Sequence, residues 1–272
     1  MNITASIVTY KTDKEELKRC LDSLCHSPVT TIYIIDNSPN DELRSFCSTI
    51  ENVDYIFNNE NIGYGAAHNI AIKKAMEVDS KFHLVINSDV YFSEDTIESI
   101  IKYMNDNEDV GQVIPNVTYP DGKLQYVCRL LPTPANLIFR RFLLAKMVKR
   151  MNYKYLLQFY DHKKTANIPY HMGCFMFFRI SALKKIGLFD ERFFMYPEDI
   201  DITRRMHRHY KTMFYPKVTI IHAHRAASYN NKKMLRIHII NMVKYFNKWG
   251  WIFDSERKEV NKRVLKELRI KN

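Results

Sequence analysis

FHLVINSDVYF, residues 82–92, runs a buried apolar strand straight into Asn87, Ser88 and Asp89. A carboxylate at the end of such a strand is costly to leave unpaired, because a charge near the interior either neutralises or finds a cation. A divalent metal that also holds a diphosphate would supply that cation, since hard oxygen donors suit Mg²⁺ or Mn²⁺. Asp89 could equally be a turn former or a helix N-cap. The company the strand keeps has to decide between these readings.

Upstream, strand and helix signals alternate. ASIVTY (5–10) is a short β-rich run, and KEELKRCLDSLCHS (14–27) is helical, with Leu17, Leu21 and Leu24 on one face. TTIYIIDNS (30–38) is a second buried strand ending at Asp36 and Asn37, and VDYIFNN (53–59) is a third. GAAHNIAIKKAMEV (65–78) then reads as a helix before the fourth strand, HLVINSD (83–89). Strand, helix, strand at this spacing predicts an α/β fold with a mostly parallel central sheet covered by helices on both faces. Ligands in such sheets bind beyond the carboxyl ends of the strands. Thr9, Tyr10, Asp36, Asn37 and Asp89 all fall at such ends.

The second half is less regular. Residues 121–168 mix turn residues with NLIFRRFLLAKMVKRMNYKYLLQFY (136–160), which predicts one or two amphipathic helices. Dense patterning resumes over 168–209, and KTMFYPKVTIIHAHR (211–225) is a further strand. Residues 230–272 predict two basic helices, the last opened by Ser255 as N-cap with acids in its first turn. No internal repeat and no low-complexity segment is present.

Composition narrows the class. With 272 residues, 46% apolar content and seven glycines, the chain is globular, and one domain with an elaborated end is expected. No run of about 18 apolar residues exists and MNITASIVTY lacks a basic leader, so neither a spanning helix nor a signal peptide is expected. Five scattered cysteines without a CxxC pair fit a reduced, cytosolic chain. The net charge of +11 is segregated: 135–164 carries about +7, 225–272 about +9, and the remainder about −5. Such a surface meets anions: nucleic acid, an anionic membrane face or phosphorylated lipids. No nucleic-acid signature is present, and the basic residues lie on amphipathic helices instead of a stacking sheet, so nucleic acid is not the expected partner. Lys and Arg beside Leu, Ile, Phe, Trp249 and Trp251 predict a peripheral position at the inner face of the cell membrane. The competing reading is that these helices pack on the domain or form a homodimer contact.

Four of these elements together resemble a known family. SIVTYK at the first strand, IDNS at the second, NNENIGYGAAHN after the third and NSD at the fourth are similar to the nucleotide-sugar domain of family 2 glycosyltransferases. GLFDERFFMYPEDIDITRR resembles that family's acceptor-side "ED" motif, and IIHAHRAAS its distal histidine. The likeness spans about residues 3–228 and is nearest to rhamnosyltransferase-like enzymes of bacterial surface polysaccharide synthesis. It implies the A-type glycosyltransferase fold, Rossmann-like, as a single domain over 1–228, with C-terminal helices. A nucleotide-sugar half covers about 1–120 and an acceptor half 121–228, followed by a basic helical extension over 229–272.

The resemblance also implies roles. Thr9, Tyr10 and Asp36 would line the base and ribose of a UDP- or dTDP-sugar, although Asp36-Asn37-Ser38-Pro39 is also a plain turn sequence. Asn61, Gly63, Gly65 and Asn69 would shape the loop near ribose and diphosphate, with Asn87 and Ser88 beside the sugar. The family's metal motif usually reads Asp-x-Asp; here Asn87 holds its first place, so Asp89 offers the carboxylate, with His222 as second ligand and His224 as its competitor. Asp199 would be the general base of an inverting transfer, with Glu198 positioning the acceptor or the loop. The same acids after Pro197 would also make a good helix first turn. Tyr196 and Arg205 would face a glycan or polyprenyl-diphosphate-linked acceptor, Arg205 alternatively holding the motif loop or a phosphate. A nucleotidyltransferase shares the sheet and metal logic but needs a phosphate-gripping basic loop near its first strand, where Lys11 is the sole base.

Overall fold

The structure, a computed structural model, describes residues 1–138, 144–223 and 232–270. Its first half alternates as the sequence predicts: β1 (Ile3–Thr9), α1 (Lys14–Cys25), β2 (Thr31–Asp36), α2 (Arg44–Cys47), β3 (Val53–Phe57), α3 (Tyr64–Glu77) and β4 (Phe82–Ile86). α1 starts where Asp13 accepts hydrogen bonds from the Glu15 and Glu16 amides at 3.0 and 3.1 Å, and it buries Leu17, Leu21 and Leu24. The quoted stretch itself divides. β4 stops at Ile86, the chain turns with the Val90 amide donating to the Asn87 carbonyl at 3.3 Å, and β5 (Val90–Phe92) leaves in a new direction. α4 (Asp95–Asp106) and β6 (Val110–Thr118) follow.

The less regular half contains β7 (Cys128–Arg129), α5 (Pro134–Leu137), α6 (Ala145–Tyr155), β8 (Ala166–Asn167), β9 (Tyr170–His171) and β10 (Phe175–Arg179). It ends with α7 (Ile180–Ile186), α8 (Glu198–His207), β11 (Lys211–His222), α9 (Lys232–Trp249) and α10 (Ser255–Ile270). Among its described residues the amphipathic stretch over 136–160 contains parts of two helices, the first only one turn long and opened by a Thr133–Asn136 capping box. The start of α10 differs by one residue from the sequence reading. Asp254 is the N-cap, its carboxylate accepting the Arg257 amide at 2.9 Å, and Ser255 is the first helical residue.

Among the described residues, nine strands join one sheet in the order β3-β2-β1-β4-β10-β6-β11-β5, with β8 pairing on β11. β1 to β4 run parallel, β10 runs against β4 and β6, and β11 runs parallel to β6. The carboxyl ends of β1, β2, β4 and β11 therefore share an edge with the start of β10. Alternating strand residues feed two cores. Ile32, Ile34, Leu84 and Ile86 pack with α1, α4 and the C-terminal helices; Tyr33, Ile35 and Val85 pack with α3, α7 and α8.

The C-terminal helices are tied into the larger core by Tyr245, Phe246, Val264 and Leu268. A buried Arg204 on α8 clamps them further: it pairs with Asp254 at 2.7 and 2.8 Å and with Glu256 at 2.6 Å, and its guanidinium lies 4.1 Å from the Trp249 ring centre.

Candidate active site

Register brings the candidate donor residues together. Thr9 and Asp36 are direct partners across β1 and β2. Thr9 Oγ1 is buried with no hydrogen-bond partner among the described residues, a polar atom left for something else to satisfy. Tyr10 beside it is half exposed. Asp36 is fully buried, accepting from the Tyr55 hydroxyl at 2.5 Å and the Ser38 amide at 3.0 Å. Asn37 stitches the neighbouring loops, its amide lying 3.4 Å from Asn61 Oδ1 and 3.3 Å from the Gly63 carbonyl. Gly63 adopts φ +95°, and an added Cβ would lie 2.6 Å from the Phe194 carbonyl oxygen, so this close approach demands glycine. Ser88 donates to Glu16 on α1 at 3.0 Å.

At the same edge Asp89 Oδ1 lies 3.3 Å from His222 Nε2. β5 pairs antiparallel with β11, Val90 lying opposite His222, and this joins a turn residue of the first half to the end of β11. Gln125 sets the imidazole: His222 Nδ1 meets Gln125 Oε1 at 2.9 Å, while the Gln125 amide donates to the His222 carbonyl at 2.7 Å. With Nδ1 occupied, Nε2 is directed at Asp89. Burial opposes a charge on His222, but the Cys174 sulfur and the Asp89 carboxylate outweigh it and push the imidazole up to about 10. With its Nε2 proton displaced, His222 and the Asp89 carboxylate would offer one nitrogen and one oxygen donor, 3.3 Å apart, to a Mg²⁺ or Mn²⁺ ion. No protein-only cluster of three or more ligands forms among the described residues. His224 lies outside the described residues.

Glu198 and Asp199 open α8, and both are buried. Asp199 Oδ2 accepts from the Gly173 amide at 2.9 Å and lies 3.4 Å from the Tyr170 hydroxyl; Oδ1 accepts from the Ile200 amide at 2.7 Å. Glu198 Oε2 has no hydrogen-bond partner among the described residues. Burial raises both carboxyls far above the ordinary range, and the charge of Asp199 raises Glu198 further. Arg129 opposes this at Asp199, favouring the carboxylate. Its guanidinium lies 5.5 Å from the ring centre of Tyr170, its partner across β7 and β9.

Tyr64 joins the two sides. Its hydroxyl lies 2.9 Å from Asn87 Oδ1 and 2.8 Å from the Gly173 carbonyl, with one proton to give. Gly173 therefore faces Tyr64 through its carbonyl and Asp199 through its amide. A Cβ on Gly173 would lie 3.1 Å from Asp199 Cβ, so the loop passes the carboxylate closely.

Three expected residues have other contacts. Asn69 is tied to the Phe189 carbonyl and amide and to Glu191, each at 2.9 Å, and so anchors the loop ahead of α8. Arg205 bonds Asp201 at 2.8 Å and the carbonyls of Ile186, Gly187 and Leu188 at 2.7 to 3.2 Å, holding that same loop. Tyr196 is half-buried at φ +91°, a strained backbone for a bulky residue, with its ring 5.0 Å from that of His238 on α9. Gln125, Arg129, Tyr170 and Gly173 carry no motif that sequence reading could single out, and Tyr64 stands within NNENIGYGAAHN without a role of its own in that reading. Tyr64 and Gly173 meet across a separation of 109 residues, and His222 and Gln125 across 97.

Comparison with known proteins places this geometry in context. The chain is 26% identical over 208 residues to the low-salt glycan biosynthesis hexosyltransferase Agl10 of Haloferax volcanii, covering 76% of this chain and 62% of that one. It is 24% identical to rhamnosyltransferase WbbL of Escherichia coli K12, covering 88% and 90% of the two chains. It is 24% identical to an N-acetylglucosaminyl-diphospho-decaprenol L-rhamnosyltransferase of Mycobacterium tuberculosis, covering 81% and 75%. Among solved structures, GalNAc-T7 with UDP, GalNAc and Mn²⁺ superposes with a TM-score of 0.62 at 14% identity, covering 82% of this chain and 43% of that one. Residues 1–349 of Staphylococcus aureus TarS with UDP-GlcNAc superpose with a TM-score of 0.60 at 14% identity, covering 97% and 72%. This chain thus spans less than two thirds of the length of the Haloferax relative and under half that of GalNAc-T7. The model of glycosyl transferase family 2 matches residues 4–187, most of the sheet and the helices around it, and the chain belongs to that family.

Proposed function

We propose that this chain is an inverting glycosyltransferase that moves one sugar from a UDP- or dTDP-sugar to a glycan or polyprenyl-diphosphate-linked acceptor in bacterial surface polysaccharide synthesis (O-antigen or capsule). The observation that carries the reading is the placement of Asp199. It is a buried carboxylate held by the Gly173 amide, one residue away from the backbone and Tyr64 contacts that reach Asn87 at the donor strand end. Thr9, Tyr10 and Asp36 line the base and ribose, and Asn61, Gly63, Asn87 and Ser88 the ribose, diphosphate and sugar. Asp89 and His222 would hold a divalent Mn²⁺ or Mg²⁺, which supplies charge neutralisation for the departing diphosphate. Asp199 Oδ2 takes the proton of the acceptor hydroxyl as that oxygen attacks the anomeric carbon opposite the diphosphate, which inverts the centre. The buried Glu198 keeps the acceptor side rigid beside it, and Tyr196 presents a ring to the acceptor. Asn69 and Arg205 serve by fixing the loop over 186–191.

The names of the Escherichia and Mycobacterium relatives support a rhamnosyl-type transfer and, for the latter, a diphospho-polyprenol acceptor. A station at the inner membrane face is part of the proposal. Its support is the pair of exposed apolar residues Ile252 and Phe253 between the basic helices α9 and α10. No helix among the described residues is long and apolar enough to cross a membrane.

Asp89→Ala is expected to weaken binding of the donor sugar nucleotide and to remove its response to Mn²⁺, with His222→Ala a milder version of the same. Thermal shift across UDP- and dTDP-sugars, with and without Mn²⁺, reads this directly, because a ligand selective for the folded state raises the melting point. Transfer undiminished by EDTA would overturn the metal assignment.

A further inference from the structure

The two basic segments that the sequence sets apart meet in the folded chain. α6 and α10 flank a groove of about 1290 Å³ whose floor is apolar, formed by Leu130, Leu131, Met151, Tyr155 and Leu265. Its rim is cationic. Arg150 and Lys154 stand one turn apart on α6, and Lys258, Lys262 and Lys266 stand on successive turns of α10. All five are exposed, and the groove lining contains no Asp or Glu. None of the five is ion-paired to a carboxylate among the described residues. Like charges at such spacing repel one another, and an anion lying between the two rows would reverse that cost. Phosphate alone would leave the apolar floor wet, whereas a phosphate attached to a hydrocarbon chain complements rim and floor together.

The groove also adjoins the candidate base. Leu130 follows Arg129 directly, and its amide donates to the Tyr155 carbonyl at 3.0 Å. Tyr155 bears on the Arg129 guanidinium, which faces Tyr170 and, beyond it, Asp199. Tyr155, Arg129 and Tyr170 thus link the floor of the groove to Asp199.

We propose that this groove holds the lipid carrier of the acceptor, with an isoprenoid chain on the apolar floor and its diphosphate between Arg150 and Lys154 of α6 and the three lysines of α10. The assignment rests on the acceptor reading above and deepens it by giving the carrier a site.

Binding of farnesyl diphosphate, a soluble isoprenoid diphosphate, tests it by calorimetry on the full chain with no sugar nucleotide present. The outcome is therefore separate from whether sugar transfer occurs. Farnesyl diphosphate is expected to bind at least tenfold more tightly than inorganic pyrophosphate. The triple variant K258E/K262E/K266E is expected to lose at least tenfold of that affinity with its melting temperature and circular dichroism unchanged, since these side chains are exposed. Met147→Glu, at the exposed lip of the groove, is expected to weaken farnesyl diphosphate and not pyrophosphate. Equal affinity for the two diphosphates would mean a simple phosphate site and overturn the proposal. So would wild-type affinity in the triple variant, or binding to phosphatidylglycerol vesicles with none to farnesyl diphosphate.

Discussion

Asp199 is pulled in two directions. Burial favours its neutral form, while Arg129, the Gly173 amide and the Tyr170 hydroxyl favour the carboxylate. In its proposed role as general base Asp199 works only when ionised, so the rate is expected to fall as pH drops through the titration of this pair, and a raised pair begins that fall closer to neutrality than an ordinary carboxylate would. Arg129→Gln removes the opposing charge. The acidic limb of the kcat profile is expected to move to higher pH, with kcat at pH 7 reduced about tenfold and recovering at alkaline pH. The KM for the sugar nucleotide is expected to stay within about twofold, because Arg129 stands with the base and not with Thr9 or Asp36. An unmoved acidic limb would remove Arg129 from the tuning of Asp199. Asp89 and the Glu198-Asp199 pair were legible in the sequence because each stands at the end of an apolar run or the opening of a helix. Arg129, Tyr64 and Gln125 were not, because each acquires its part from a partner that only the tertiary fold brings near.

The first-half strands and helices were legible for the same reason that they are stable: each repeats its apolar residues at one period. The splitting of the opening stretch into β4, a turn and β5 was hidden, since Val90 and Phe92 continue the apolar pattern while pairing with a different strand, β11. The cap of α10 was misplaced because Asp254 and Ser255 are both good capping residues, and only the contact with Arg204 favours the first. That contact predicts a large effect. Arg204 is 2% exposed and neutralises Asp254 and Glu256 where α8, α9 and α10 converge. Arg204→Ala leaves the buried Asp254 carboxylate with only the more distant Arg257 guanidinium, 3.7 Å away, and denaturant unfolding is expected to show a loss of about 3 kcal/mol. A change below about 1 kcal/mol would mean that the clamp adds little and that apolar packing alone seats the C-terminal helices.

Across the whole molecule the sheet order decides what the sequence could only suggest. Parallel β1, β2 and β4 place Thr9, Asp36 and the 87–89 turn on one edge, and the antiparallel β10 brings Gly173 and Cys174 there from the opposite direction. β11 then returns His222 to the same edge, while α8 delivers Asp199 beside Gly173. Residues distant along the chain so share one edge of the sheet, and the segregated positive charge gathers on α6, α9 and α10. The most direct test of the account is to compare Asp199→Asn with the wild type for sugar transfer and donor binding on the same preparations. Transfer is expected to fall by about 10²–10⁴-fold, the usual worth of a general base, with donor affinity within about twofold. Turnover within a few-fold of wild type, or donor binding lost together with transfer, would contradict it.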